Sequence, residues 1–146
     1  MPPSLLVTVA TEAQVEAVAE YVAAAHEGAD ITLLHVVEYT EKKTSPSRGG
    51  RDRPDGWYDR AQKDAEALFD LAAEHLEGSV GSIDTSIEAG DPSAEILSYA
   101  DEHDVDQLVL GVRKRSPTGK IVFGSTAQDV LLSSTRPVIA VPLTHN

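Results

Sequence analysis

Short apolar runs and amphipathic helical stretches alternate along this chain five times, and no other feature constrains its fold as tightly. Leu5 to Val9 is an apolar run of strand type, and Val15, Val18, Ala19 and Val22 then recur at helical spacing until Gly28. Ile31 to Val37 reads as a second strand. Ala61, Ala65, Leu68, Ala72 and Leu76 form one face of a second helix, which ends near Gly78. Ile83 to Glu88 is a third strand. Gly90-Asp91-Pro92 opens a third helix, with Asp91 as N-cap, Pro92 at the first helical position, and Ile96, Leu97 and Ala100 on one face. Gln107 to Leu110 makes the fourth strand, which Gly111 lets the chain leave with little steric bulk. A helix from about Ser125 to Ser134 follows, with Val130 and Leu131 expected inside, and Pro137 to Pro142 is the closing strand.

Such alternation specifies an α/β fold with a parallel sheet covered by helices on both faces. Sheets of this kind take ligands outside the carboxyl ends of their strands, where the strand order reverses. The length, 146 residues, suits one domain spanning 1–146. With no cysteine, disulfides, thiolate metal sites and cysteine nucleophiles are excluded. Met1-Pro2-Pro3-Ser4 lacks the basic-then-apolar pattern of a signal peptide, and no apolar run approaches about 18 residues. The expectation is a soluble cytoplasmic protein with no membrane partner.

Charge is distributed unevenly. Asp and Glu number 24 against 12 Lys and Arg, for a net charge of −12, which argues against nucleic acid as a partner. Only five of the cations are lysine, and a carboxylate-rich, lysine-poor surface is of the halophilic type. In molar salt a Debye length of about 3 Å would screen its self-repulsion. Ten of the twelve cations fall in two stretches. Lys42, Lys43, Arg48, Arg51, Arg53 and Arg60 follow the second strand, and Arg113, Lys114, Arg115 and Lys120 follow the fourth. Right-handed crossovers bring both stretches to the same rim of the sheet. The first lies largely in a breaker-rich segment, Tyr39 to about Gly56, which reads as a long flexible loop. It reads either as a plain surface loop or as a lid in which Trp57 or Tyr58 stacks on a ligand.

The second stretch runs from Gly111 into Gly124-Ser125-Thr126 at the expected start of a helix, where backbone N–H groups and the helix dipole favour an anion. The Ser125 and Thr126 hydroxyls can donate to phosphate oxygens. The plainer reading is a helix N-cap by Ser125 beside a solvated basic loop. None of the five histidines shows metal-ligand spacing: His26, His75 and His103 suit helix C-termini, and His35 suits a hydrogen-bonded core or rim position. Walker, Gly-x-Ser-x-Gly and Cys-x-x-Cys patterns do not occur, and no catalytic or metal-binding residue stands out.

The chain resembles the universal stress protein family over nearly its whole length. That family's nucleotide motif is Gly, two residues, Gly, nine residues, then Gly-Ser or Gly-Thr. Gly111 and Gly124-Ser125 match it, and Lys114 stands where the second glycine is expected. Leu34-His35-Val36-Val37, Gly90-Asp91-Pro92 with Glu95-Ile96-Leu97, and Arg136 to Pro142 match further family positions. The resemblance implies a five-stranded parallel sheet in the order 3-2-1-4-5 with helices on both faces, adenine nucleotide alpha hydrolase-like. It implies ATP or another adenine nucleotide, with or without Mg2+, near Val9, Ala10, Thr11 and Val36 at the base and ribose. Leu110, Gly111, Val112, Arg113, Lys114, Arg115, Ser116, Gly124, Ser125 and Thr126 would surround the ribose and phosphates. It also implies a homodimer through the edge strand Val138–Val141. Two departures bear on this. Ala10 stands where many members have Asp, and Lys114 replaces permissive backbone with a charge able to pair with phosphate. The favoured expectation is a stress-response protein that holds an adenine nucleotide with at most slow hydrolysis. A second is an interaction protein without nucleotide, whose basic loop docks an acidic partner. A third, an enzyme cleaving the α-phosphate bond, lacks the serine- and glycine-rich loop expected after the first strand.

Overall fold

The computed structural model describes residues 2–38, 57–114, 121–122 and 124–143. The elements run β1 (Ser4–Thr8), α1 (Glu12–Ala25), β2 (Asp30–Glu38), α2 (Trp57–Leu76), β3 (Ser82–Gly90), α3 (Pro92–His103), β4 (Gln107–Lys114), β5 (Ile121–Val122), α4 (Ser125–Ser133) and β6 (Val138–Pro142). Five strands are parallel, in the spatial order β3-β2-β1-β4-β6. Counted along the chain, this is the expected 3-2-1-4-5. The two-residue β5 is an addition, pairing antiparallel with the far end of β4 through Arg113↔Val122 and Lys114↔Ile121.

The inner strands read as nearly unbroken apolar runs because both of their faces are buried. Leu5 and Val7 of β1 and Leu33 of β2 pack under α1 and α2 with Val15, Val18, Phe69 and Leu76. The alternate residues, Leu6 and Leu34, meet Ile96, Leu108, Leu110 and Val130 on the side of α3 and α4. Two separate apolar layers thus clamp the sheet. Burial on this scale favours folding by about 25 cal/mol per Å² of apolar surface. At one end, Arg136 ties α3 to the entrance of β6. Its Nε donates to Val105 O at 2.7 Å, and its guanidinium pairs with Asp101 and, at 3.0 Å, with Asp104. Those two carboxylates, hydrogen-bonded to it, hold its pKa above the ordinary arginine value against the opposing effect of burial.

Several expectations shift. β4 does not end at Gly111 but continues to Lys114, because β6 and β5 pair with the extra residues. Arg113 and Lys114 therefore stand on a strand rather than in a loop. Helix α2 begins at Trp57, directly after the last breaker, Gly56, so Trp57, Tyr58 and Arg60 belong to a helix and not to the preceding segment. Of the α4 pair expected inside, Val130 is fully buried while Leu131 is only half-buried, because the buried face runs through Ala127 and Val130 at three-residue spacing. The 39–56 segment, and with it the flexible-loop and lid readings, lies outside the described residues, as do Arg115 to Lys120.

Candidate functional site

The sheet has a notch at its carboxyl rim because its central strand stops early. β1 pairs with β2 only as far as Thr8↔Leu34 and with β4 only as far as Val7↔Val109. β2 goes on to Glu38 beside Gly90, and β4 goes on to Lys114. The chain leaves β1 through Val9 and Ala10 and enters α1. This exit is fixed by Val9 N–H donating to Leu34 O at 2.9 Å, and by His35 Nδ1 donating to Val9 O at 2.8 Å. His35 is thus a hydrogen-bonded rim residue, and a carbonyl acceptor requires that Nδ1 carry the proton. Backbone polar groups of alternate strand residues point to the same side. Leu34 O faces β1, so the N–H and C=O of Val36 face that side too, above the point where β1 has ended. The strand order also reverses here, between β1 and β4, which is where open α/β sheets hold ligands.

A cleft of about 690 Å³ occupies this notch. That lies within the roughly 300–1,000 Å³ typical of small-molecule sites. Of the residues expected to bind nucleotide, Val9, Ala10, Val36, Leu110, Gly111, Val112, Gly124, Ser125 and Thr126 line it. Thr11 does not, and its hydroxyl instead accepts from Gln14 N at 3.2 Å to cap α1. Arg113 and Lys114 close the far end of β4 at the same rim, and Arg115 and Ser116 lie outside the described residues. Leu34, Pro92 and Ile96, from the further family matches, also line the cleft, as do Thr8, Gln14, Glu38 and Ala127, which no motif announced. Gln14 explains Gly111. The Gln14 Cγ lies 3.1 Å from where a Cβ on Gly111 would stand, so the glutamine stem fills the space that a side chain there would need.

Three helix N-termini border this rim, and they are finished differently. Thr11 caps α1, and the Asp91 carboxylate caps α3 by accepting from Ala94 N at 3.1 Å. Helix α4 has Gly124 as its N-cap, not the Ser125 of the plainer reading, and no side chain among the described residues caps it. Its first helical bond is Gln128 N–H to Gly124 O, so the amides of Ser125, Thr126 and Ala127 precede the ladder. Ser125 and Thr126 sit in this first turn, at the cleft wall. The cleft therefore carries an apolar side (Val9, Val36, Ile96), open strand backbone, and one uncapped positive helix end. Among the described residues no group of three or more His, Cys, Asp or Glu is placed to hold a metal ion, and no helix is long and apolar enough to cross a membrane.

Comparison with known proteins agrees with this architecture. The model of the universal stress protein family matches residues 3–142. A universal stress protein of Mycolicibacterium smegmatis is 45% identical over 51 residues, 35% of this chain and 39% of that protein. The stress response protein NhaX of Bacillus subtilis is 31% identical over 77 residues, 53% of this chain and 43% of its own. The matches thus span less than half the length of either curated relative. Among solved structures, a universal stress protein from Archaeoglobus fulgidus is 26% identical, with a TM-score of 0.67 over 97% of this chain and 98% of that one. Another from the same organism, in complex with dAMP, superposes at 0.63 with 19% identity over 97% and 98%. A universal stress protein in complex with cAMP superposes at 0.65 with 18% identity over 98% of both chains. Motif, topology and family model point the same way: this chain belongs to the universal stress protein family.

Proposed function

We propose that the protein binds ATP or another adenine nucleotide in the notch above β1, with the base against Val36 and the phosphates on the first turn of α4. The observation that carries this reading is the uncapped α4 N-terminus opening into a cleft of nucleotide size. Its three leading amides and the Ser125 and Thr126 hydroxyls supply donors for an anion, and the helix dipole adds to them. Val36 presents one backbone donor and one acceptor to the opposite part of the cleft, the pair that an adenine edge requires. Two universal stress proteins of the same fold hold adenine nucleotides, dAMP and cAMP. Any Mg2+ would be carried on the phosphates. The protein holds the nucleotide as a stress-response binder and hydrolyses it slowly at most. Calorimetry tests the reading. ATP should bind saturably, and replacing Ser125 and Thr126 together by Ala should weaken binding by about 1–3 kcal/mol, the cost of losing hydrogen bonds to a charged group. Wild-type protein giving no saturable ATP binding would favour the acidic-partner reading instead.

The same reading includes a homodimer through β6. Among the described strands β6 pairs only with β4, and Val138 to Val141 carries no charge to protect its outer edge. Pro137 O accepts from Leu108 N and Val112 O accepts from Leu143 N, so odd-numbered residues face β4 and the backbone groups of Val138 and Ala140 face outward. Antiparallel pairing with a second copy across a two-fold axis would join the sheets. Ala140→Pro removes an outward N–H and leaves the β4 ladder intact. Light scattering should show a wild-type dimer and a folded Ala140→Pro monomer; a monomeric wild type or a dimeric variant would refute the interface.

A further inference from the structure

Gln14 is a polar side chain in the cleft with no side-chain hydrogen bond to any described residue. Its backbone N–H is satisfied by Thr11 Oγ1, but its carboxamide has no hydrogen-bond partner among the described residues. Nearby in the cleft lining, Thr8 Oγ1 donates to Val109 O at 3.5 Å. The Gln14 stem is held in place: Cβ and Cγ fill the space over Gly111, with a Gly111 Cβ position only 3.3 and 3.1 Å away. The residue is half-buried and lines the cleft, with its stem packed over Gly111 and its amide beyond that stem. A carboxamide on a stem already packed in place can bond a ligand in the cleft with little further ordering.

Position along the rim identifies that partner. Across the notch the order is β2, β1, β4 and then the α4 N-terminus, and Gln14 sits over β4, between the Val36 gap and the phosphate-binding turn. If the nucleotide lies as argued above, the base and phosphates take the two ends and the sugar takes the middle. A carboxamide both donates and accepts, as does each hydroxyl of a vicinal diol. Resting on the nucleotide reading, we propose that Gln14 reads the ribose, bonding the 2′- and 3′-hydroxyls and setting a preference for ribonucleotides over sugars lacking them.

Titration of the intact protein with ATP and with 2′,3′-dideoxy-ATP tests this. Wild-type protein should bind ATP about tenfold more tightly than the dideoxy analogue, the worth of one to two net hydrogen bonds. Gln14→Leu, which keeps the stem over Gly111, should lose that factor for ATP, leave dideoxy-ATP affinity unchanged, and so bring the ratio to about one. The wild-type ratio is informative without any variant. Equal wild-type affinity for the two nucleotides overturns the role of Gln14 while leaving nucleotide binding intact. A Gln14→Leu protein that weakens both nucleotides alike makes the residue a packing element only. Wild-type protein that binds neither nucleotide overturns both readings.

Discussion

At the start of α3, Asp91 Oδ2 accepts from Ala94 N–H at 3.1 Å and from Ser93 Oγ at 3.0 Å. At the start of α4, Gly124 offers no side chain, and no side chain among the described residues takes that cap's place. Both turns border one cleft, which Pro92 and the Gly124 to Ala127 turn line together. The α3 end is already occupied by the protein's own carboxylate, which satisfies a leading amide and repels a second anion. Among the described residues no side chain answers the donors and dipole of the α4 end. Helix N-termini on one rim are thus sorted by a single residue into a capped end and an open end, and in the proposed function that asymmetry would give the nucleotide a direction.

Converting one end into the other should have the largest effect. Gly124 has φ −71° and ψ 169°, open to any residue, and a Cβ there meets nothing within 4 Å. Gly124→Asp should therefore fold, and it should gain a few tenths of a kcal/mol as a better cap. Its carboxylate would occupy the amides and repel phosphate, so ATP affinity should fall by about 100-fold. Calorimetry beside a thermal melt separates the two effects. ATP affinity surviving at the wild-type level would mean that the phosphates do not lie on α4. The converse change is smaller. Asp91→Ala should cost about 1 kcal/mol of stability, a fall of roughly 2–4 °C in Tm for a chain of this size, with ATP affinity unaltered. If Asp91→Ala instead weakened ATP binding with no change in Tm, the sorting of the two ends would be reversed.

The parallel sheet was legible because burial on both faces writes itself into residues such as Leu5, Leu6 and Val7, where apolar character does not alternate, whereas its strand order came only through the family resemblance. The Asp91-Pro92 start was legible because cap and first-turn chemistry are local. Gly-Ser at the start of α4 was ambiguous by one residue: either can precede a helix, and only the backbone shows that Gly124 is the cap. The extension of β4 past Gly111 depends on strands that arrive later in the chain, so no local pattern announces it. Gln14 was invisible for the same reason. Its importance lies in meeting Gly111, a contact that exists only once α1 has packed against β4.

The most direct test of the central claim follows backbone amide resonances of the wild-type protein during an ATP titration. Saturating shifts should be largest at Ser125, Thr126 and Ala127, the amides ahead of the α4 ladder, and small at Ser93 and Ala94 in the capped first turn of α3. An ATP complex whose largest shifts fall in the α3 turn, with α4 unmoved, would contradict the account.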